Sequence, residues 1–340
     1  MGEPGAIGRR LRAARLAVGW TQPQLAARAG VSRQLIGAIE AGRHLPRVDA
    51  GLALAEALAT DAAGLFGRFS PPVDIYTQRP PPEGGLVRSS LVGDRVVTAS
   101  PRLGFDGWDL ADGMVKGGAV VRLGRTTPGI VIGGCEPALI LLERVLREAG
   151  SAALAVTMSS ASAISALREG LLHAAVVHGP AAKSSPPPVD LTVTRLHLTR
   201  WQVGVAAPAD AAPDWWKKAL SGRVPVVQRE PGARVQEAFE SAVGVSGGQI
   251  PGPVVGSHLE VARLVVATGT PGVTIEPAAL AVGAAFHPIE AHSAALWIDR
   301  RWMNEPAVTD ALTVLVGGRF AAQLEAIGGY ELTGLGGRAA

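Results

Sequence analysis

Apolar residues in the first sixty-six positions recur at helical spacing, and each short run ends at a glycine or proline. Ile7, Leu11 and Leu16 lie on one side of a helix near residues 6–18, which Gly19 ends. The same pattern, with Thr21, Ser32 and Asp61 as helix caps, predicts helices that begin after Thr21 and Ser32, one over 48–59 and a short turn after Asp61. We therefore predict an all-α bundle of five helices.

Beyond about residue 90 the pattern changes to short apolar strands that alternate with helices. The predicted strands are 95–100, 119–123, 129–133, 153–157, 174–178, 201–206, 224–228 and 272–276. The predicted helices are 137–149, 161–170, 233–243 and 258–267. This alternation predicts an α/β domain with largely parallel sheets, in which ligands bind where strands lead into helices.

A proline-rich stretch separates the two patterns. Residues 67–85 contain five prolines and lack helical periodicity, which is typical of a semi-rigid spacer. We predict three segments: a helical domain over 1–66, a linker over 67–89 and a larger domain over 90–332.

Charge is distributed unevenly between these segments. The net charge is +3, but residues 1–70 carry nine Arg against five Asp or Glu, whereas the remainder carries 23 basic and 24 acidic residues. A small basic module joined to a neutral domain is typical of proteins that contact DNA phosphates. With 47% hydrophobic and 18% charged residues, extensive disorder is excluded.

Composition also indicates a compartment. Cys135 is the single cysteine, the first residues lack an apolar signal core, and the apolar segments are too interrupted to span a membrane. We expect a cytoplasmic protein without a membrane partner. Cys135 could sense oxidants or be simply buried.

The predicted second and third helices carry a dense motif. Its residues are Thr21-Gln22, Leu25-Ala26, Ala29-Gly30-Val31-Ser32-Arg33, Ile36, Ile39-Glu40 and Gly42-Arg43. Over roughly residues 6–66 the sequence closely resembles the xenobiotic-response-element family of helix-turn-helix regulators, the Cro/repressor type. The resemblance implies that the third helix enters the major groove of an operator and that the protein is a homodimer.

Residue roles follow from this resemblance. It implies that Ser32 caps the recognition helix, that Arg33 and Gln34 read base edges, and that Gln22 and Arg43 contact phosphates. Gly37 lies in the middle of the same helix, where relatives often carry larger polar side chains. Arg15 and Glu40 match a structural ion pair of the family.

Three strand-to-helix loops of the larger domain are candidates for ligand contact. They are Gly133-Gly134-Cys135-Glu136-Pro137, Thr157-Met158-Ser159-Ser160-Ala161-Ser162 and Arg229-Glu230-Pro231-Gly232-Ala233-Arg234. Helix capping and turn formation explain each loop equally well without a ligand.

Together with Ser257-His258, Gly272 to Glu276 and Gly329-Tyr330, these loops resemble the periplasmic-binding-protein-like domain fused to bacterial regulators, with molybdate-binding proteins as near relatives. The resemblance implies two lobes, the first over about 90–195 and 284–332, the second over about 196–283. The fold class expected is thus a helix-turn-helix bundle followed by a two-lobed α/β domain.

The resemblance also implies a ligand cleft. Its expected lining residues are Gly134, Cys135, Glu136, Ser159, Ser160, Ser162, Arg234, His258 and Glu276. The third loop lacks the hydroxyls that relatives usually offer, so molybdate or tungstate and a small organic anion or metabolite stay open as ligands. His178 and His287 are interpreted as core or loop residues.

These features favour a transcriptional regulator that binds double-stranded DNA and responds to a small effector. The alternative is a regulator whose second domain has lost its ligand and serves only in dimerisation or protein contact. We expect no enzyme activity, no cofactor and no metal, because neither a catalytic constellation nor a His-Cys cluster of metal-ligand spacing stands out.

Overall fold

The computed structural model describes residues 4–60, 62–66, 70–104, 107–108, 111–123, 129–181, 187–244 and 250–339. The chain divides into two compact units, Met1–Val131 and Ile132–Ala340.

The first unit begins with the predicted helical bundle. Its helices are α1 (Pro4–Ala17), α2 (Gln22–Ala29), α3 (Arg33–Glu40), α4 (Val48–Ala57) and α5 (Ala62–Phe66). Thr21 forms a capping box with Gln24 at the start of α2, and Ser32 accepts from Leu35 N at the start of α3. The predicted cap Asp61 lies outside the described residues. An apolar core that includes Ile7, Leu11, Leu25, Ile36 and Leu54 holds the bundle together, whereas Leu16 is exposed.

A small β-sheet follows within the same unit. Its strands are β1 (Ser70–Asp74), β2 (Leu86–Val92), β3 (Arg95–Ala99), β6 (Gly113–Lys116) and β7 (Ala119–Arg122), in the order β1-β3-β2-β6-β7; β4 (Leu103–Gly104) and β5 (Gly107–Trp108) pair separately. Ser89 N and Oγ, in the middle of β2, both donate to Asp112, which precedes β6.

The sequence predicts a linker over 67–89, but parts of this segment form β-strands. Residues 70–74 form β1, which pairs in parallel with β3, and residues 86–89 belong to β2. Pro71 and Pro72 fit into β1 because β1 is an edge strand, where a missing N–H donor costs little. The division between the two units falls after Val131, not near residue 90.

The second unit alternates helices and strands. Its strands are β8 (Ile130–Gly134, which begins just before it), β9 (Ala153–Thr157), β10 (Ala174–Pro180), β11 (Val193–Ala207), β12 (Gln228–Arg229), β13 (Val254–Val255), β14 (Gly272–Ile275) and β15 (Ala285–Asp299). Its helices are α6 (Ala138–Glu148), α7 (Ser160–Arg168), α8 (Trp215–Ala219), α9 (Arg234–Val243), α10 (His258–Thr268), α11 (Glu276–Leu280), α12 (Pro306–Val316) and α13 (Gly318–Ile327).

One six-stranded sheet, in the order β14-β11-β15-β10-β8-β9, runs through this unit. The 15-residue strands β11 and β15 pair along their whole length and connect the β8–β10 end with the β14 end. The prediction of largely parallel sheets is wrong, because β10–β15, β11–β15 and β11–β14 are all antiparallel.

Strand β15 was absent from the predicted elements, and Pro288 explains why. A proline argues against a central strand, but Pro288 lies at a register shift opposite Gly204, where the ladder is interrupted. Gly204 is required there, since a Cβ atom would overlap the carbonyl oxygen of His287. The strand predicted over 224–228 is also shorter than expected and covers only Gln228–Arg229.

The last described residues form an edge segment beside β11. His197 N donates to Gly337 O at 2.7 Å, Gly336 N donates to His197 O at 2.8 Å, and Arg200 and Glu331 exchange both main-chain bonds. We call residues 331–339 the C-terminal segment. In the parts of the chain that the structure describes, no helix is long and apolar enough to cross a bilayer.

Candidate functional site

Helix α3 presents its first turn to solvent. Arg33 and Gln34 are both exposed, and Ser32 Oγ accepts from Leu35 N at 3.1 Å, which fixes the start of the helix. The opposite side of α3 is anchored by Ile36 and Ile39, which are fully buried. Two long polar side chains thus project from a rigidly held helix end, the arrangement that direct readout of a major groove requires.

The other residues expected to contact DNA lie around this helix. Arg43 is exposed just beyond its end, and its N–H donates to Ala38 O at 2.9 Å. Gln22 is half-buried and donates from Nε2 to Glu40 at 2.9 Å, so its amide is already engaged within the protein. A Cβ atom at Gly37 would lie 3.8 Å from Gln22 Oε1, an ordinary contact distance, so Gln22 would tolerate a small side chain there.

The predicted Arg15–Glu40 ion pair is confirmed. Arg15 Nε and Nη2 donate to the two oxygens of Glu40 at 2.6 and 2.9 Å, and Nη1 donates to Trp20 O at 2.7 Å. The two side chains are only 9% and 5% exposed. Glu40 therefore ties α1, α2 and α3 together through Arg15 and Gln22.

In the second unit a buried polar chain runs from the β8–α6 loop to β15. Cys135 Sγ lies 2.6 Å from His178 Nε2, His178 Nδ1 lies 3.3 Å from His292 Nδ1, and His292 Nε2 lies 2.9 Å from Glu290. Because the Glu290 carboxylate accepts, His292 donates from Nε2 and accepts at Nδ1. His178 then donates from Nδ1 and accepts the Cys135 thiol proton at Nε2, so every contact has one donor.

The pKa shifts of Cys135 and His178 agree with a neutral thiol and a neutral imidazole. Burial and the charge of Glu136 raise the pKa of Cys135 to about 12, which keeps it a thiol. Burial and the neighbouring His292, Arg234 and Arg229 lower the pKa of His178 to about 3. Trp201 packs beside both imidazoles, with ring centroids 5.1 Å from His178 and 5.3 Å from His292.

Two buried side-chain nitrogen atoms near this chain have no hydrogen-bond partner among the described residues. Arg229 is 4% exposed and is held by Glu230 and by Gly256 O, yet its Nη1 meets no acceptor among the described residues. His258 is 3% exposed, and its Nδ1 is equally unpartnered. Burial lowers the pKa of His258 well below its ordinary value, and the nearby Arg229, His178 and His292 lower it further. Buried polar atoms without a partner are costly unless something binds them.

We expect Glu136 to line the ligand cleft, and the structure places its carboxylate among hydrogen-bond donors of the protein. It is buried, and its oxygens accept from Ala138 N at 3.1 Å, Trp201 Nε1 at 2.7 Å and Tyr330 Oη at 2.8 Å. Burial raises its pKa. Through these bonds Glu136 ties the β8–α6 loop to Trp201 of β11 and to Tyr330, which precedes the C-terminal segment.

The remaining expected ligand residues divide into two groups. Ser160 Oγ accepts weakly from His178 N at 3.4 Å, and the charge of Arg234 reaches His178 and His292, so both residues adjoin the buried chain. Gly134 is buried in β8, where a Cβ atom would lie 2.8 Å from Val176 Cβ, so close packing requires it. Ser159 and Ser162 bond to each other at the exposed start of α7. Glu276 begins α11, where a Cβ atom at Gly329 would lie 3.0 Å from Glu276 Cγ.

Four residues at this site are not among the lining residues expected from sequence: His178, Trp201, Arg229 and His292. His178 and Arg229 lie at the carboxyl end of a predicted strand, which was the available signal. Trp201 and His292 are paired across β11 and β15, a contact that only the unforeseen strand reveals. Among the residues described, no three His, Cys, Asp or Glu side chains are grouped so as to hold a metal ion.

The buried histidines predict a pH dependence of stability. His178 and His173 have folded-state pKa values lowered to about 3 and about 4, against about 6.5 when unfolded. Their stabilisation is therefore complete above pH 6.5 and is lost as the pH falls toward 4, by about 1.4 kcal/mol per pH unit for each histidine. Urea unfolding of the full chain between pH 4.5 and 6 should show this slope.

A matched pair of variants isolates the contribution of His178. His178→Gln and His178→Asn should each reduce the slope by about 1.4 kcal/mol per pH unit, whatever they do to stability itself. A slope equal to that of the parent protein would mean that His178 protonates freely in the folded state.

The fold and these two sites define a class: a helix-turn-helix domain followed by a two-lobed α/β domain whose lobes share two long strands. Residues 6–65 match the family described as a helix-turn-helix domain. Residues 143–316, half of the chain, match the family described as the PBP superfamily domain. The protein belongs to the PBP superfamily.

Three solved structures are similar to parts of this chain. The chain is 12% identical to a reduced form of OxyR from N. meningitidis, over 60% of this chain and 97% of that one, with a TM-score of 0.43. It is 14% identical to an ABC-type phosphate transport receptor from Vibrio cholerae, over 59% and 98%, with a TM-score of 0.41. The restriction-modification controller protein C.AhdI from Aeromonas hydrophila is 35% identical over 18% of this chain and 96% of that one, with a TM-score of 0.18. No curated protein matches the chain.

Proposed function

We propose that this protein is a cytoplasmic, sequence-specific DNA-binding regulator, controlled by a small ligand that binds between the two lobes of its PBP domain. The helix-turn-helix reads a double-stranded operator through α3. Operators of such units have two half-sites, so the active form is a homodimer. The proposal assigns the chain no catalytic role.

One observation carries the ligand half of this proposal. Arg229 Nη1 and His258 Nδ1 are buried, unpartnered and adjacent to a fully ordered chain of neutral donors and acceptors. Arg229 is the last residue of β12, and His258 is the first residue of α10, which follows β13. Strands β11 and β15 connect the two ends of the six-stranded sheet. We assign the lobes to about 132–195 with 284–332 and about 196–283, with Arg229, Arg234, His258, Cys135 and Ser160 at the cleft.

The charges of the cleft favour a singly charged organic anion over molybdate. The guanidinium of Arg229 is held by both oxygens of Glu230, so much of its charge is already balanced. His178 and His258 are neutral because burial lowers the pKa of each. Arg234 then supplies the remaining positive charge, and the Trp201 ring offers an apolar surface. A carboxylate with a flat apolar body matches these groups better than a compact dianion.

A thermal-shift series tests the ligand class. Benzoate and other small carboxylates should raise the unfolding midpoint by several degrees at saturating concentration, because binding to the folded state alone adds about 2–3 kcal/mol at a hundredfold excess over Kd. Molybdate, tungstate and sulfate at equal ionic strength should raise it less.

Arg234→Ala should then weaken carboxylate binding about tenfold or more, since a hydrogen bond to a charged group is worth roughly 1.5–3 kcal/mol. Its partner contact, 3.5 Å to Glu237 with both side chains half-exposed, is weak, so the fold should persist. Arg223→Ala, an exposed arginine of the same unit, is the control. A shift unchanged by Arg234→Ala would place the ligand elsewhere.

The second candidate function is a regulator whose PBP domain serves only as a scaffold. It predicts that no probe changes either the midpoint or the affinity for DNA. Anisotropy titrations of a duplex from the protein's own upstream region, with and without the best carboxylate, distinguish the two: a ligand-dependent affinity supports the sensor, and an unchanged one supports the scaffold.

A further inference from the structure

A cavity of about 440 Å³ lies in the PBP domain, and its lining includes His178, whose ring belongs to the buried polar chain of the proposed cleft. It is formed by the end of β10, by β11 and β15, and by the C-terminal segment. The side chains that distinguish it are Arg195, His197, Arg200, Trp297 and Arg338. A volume of this size accommodates a small organic ligand.

The strand register places this cavity on the opposite face of the sheet from the cleft. Arg195 pairs with Trp297, His197 with Ala295 and Arg200 with Ser293, and all six residues line the cavity. Directly paired residues share a face, whereas the next residues along each strand point the other way. The pair Trp201–His292 follows Arg200–Ser293 and belongs to the cleft, so one pair of strands serves both sites from opposite sides.

The cavity is strongly basic. Three arginines line it, and none of its described lining residues is Asp or Glu. Arg200 Nη1 lies 3.5 Å from Glu331, but both side chains are half-exposed, so solvent screens this pair. His197 Nε2 is buried without a hydrogen-bond partner among the described residues. The exposed guanidinium groups of Arg200 and Arg338, beside this ring nitrogen, form a surface that can recognise an anion.

The wall that carries Arg338 is held in place by main-chain bonds. Ala339 N donates to Arg195 O at 3.0 Å, and the bonds between His197 and residues 336–337 complete the ladder. Leu196 and Arg338 form an antiparallel bridge. The cavity is thus built before a ligand arrives, which lowers the entropic cost of binding.

We propose that this cavity is a second ligand site, which binds a small organic phosphate. Arginine forks match phosphate oxygens bidentately, and several arginines around one group favour a multiply charged anion. The buried Trp297, with Val177 and Ala295, offers an apolar surface for the organic part. Its chemistry is the reverse of the proposed cleft, where the positive charge is largely balanced, so the two sites take different ligands.

Isothermal titration calorimetry with pyrophosphate, AMP and adenosine, at constant ionic strength, tests the site on the full chain. Pyrophosphate and AMP should bind saturably, and adenosine at least tenfold more weakly because it lacks the phosphate. The double variant Arg200→Gln, Arg338→Gln should weaken pyrophosphate binding at least tenfold. Both arginines are exposed, so the unliganded unfolding midpoint should stay at the parent value, which verifies the fold.

Two controls make the outcome decisive. Arg223→Gln removes an exposed arginine outside the cavity, and Arg234→Ala removes the charge at the proposed cleft; neither should change pyrophosphate affinity. The site is overturned if the parent protein shows no saturable binding of pyrophosphate or AMP, or if the double variant binds as well as the parent. Binding that Arg234→Ala abolishes would assign the phosphate to the cleft and equally overturn the second site.

Discussion

Replacement of Arg33 by Ala should lower the affinity of this protein for its operator by about tenfold to a hundredfold. Arg33 is exposed in the first turn of α3, where a bidentate contact to a guanine edge is worth roughly 1–3 kcal/mol. The loss should be specific, so that the variant keeps its affinity for unrelated duplexes. Fluorescence anisotropy with the protein's own upstream region and a scrambled duplex, at one fixed salt concentration, measures both.

Two variants control for charge alone. Arg12→Ala removes an exposed arginine of α1 and should reduce binding to both duplexes by the same small factor. Arg33→Lys keeps the charge but loses the planar fork, and should resemble Arg33→Ala in its discrimination. If Arg33→Ala weakens both duplexes equally, Arg33 contacts phosphate and the base-reading role is wrong.

Replacement of Glu40 by Ala should destabilise the helix-turn-helix by about 3 kcal/mol or more. Removing one partner of a buried ion pair leaves the other charge buried and uncompensated, which typically costs ~3–5 kcal/mol. Here the orphaned groups would be the Arg15 guanidinium, which makes two bonds to Glu40, and the Gln22 amide. Hydrogen exchange of peptides from α1 to α3, in the full chain, reports the free energy of opening for this region.

The matched control is Glu56→Ala, which removes an exposed glutamate of α4 in the same bundle. Its effect should stay within about 0.5 kcal/mol. Equal protection losses in Glu40→Ala and Glu56→Ala would show that the Arg15–Glu40 pair contributes no more than a solvent-screened contact. DNA affinity of Glu40→Ala should fall only as far as the folded fraction falls, because Glu40 is proposed to hold α3 and not to touch DNA.

The helical domain could be predicted from sequence almost completely because its determinants are local. Thr21 and Gln24 are three residues apart and form a capping box, and Ser32 caps α3 through Leu35, again three residues on. The apolar positions Ile7, Leu11, Leu25 and Ile36 are buried as their spacing predicts. Even Arg15–Glu40, separated by 25 residues, was accessible because the motif resembles a known family.

The PBP domain could be predicted as alternating strands and helices but not in its sheet. Pro288 argued against a strand at the position of β15. Because β10 and β11 each pair with β15 in antiparallel orientation, these two pairings could not be predicted either. Strand β1 could not be predicted for a similar reason. Its proline-rich segment is typical of a spacer unless its edge position in the sheet is known.

By itself, then, the sequence determined the change from a helical to an α/β pattern, the helix α3 that exposes Arg33 and Gln34, and the segments that carry Cys135, Arg234 and His258. Only the tertiary structure decided which residues of these segments contact each other and which distant residues they bond to. Glu136 bonds Trp201 and Tyr330, which are 65 and 194 residues away, and His178 bonds His292, which is 114 residues away. The physical reason is that caps and helix periodicity act within a few residues, whereas the partner of a buried polar atom is set by strand register and chain crossing. Neither leaves a local signal in the chain.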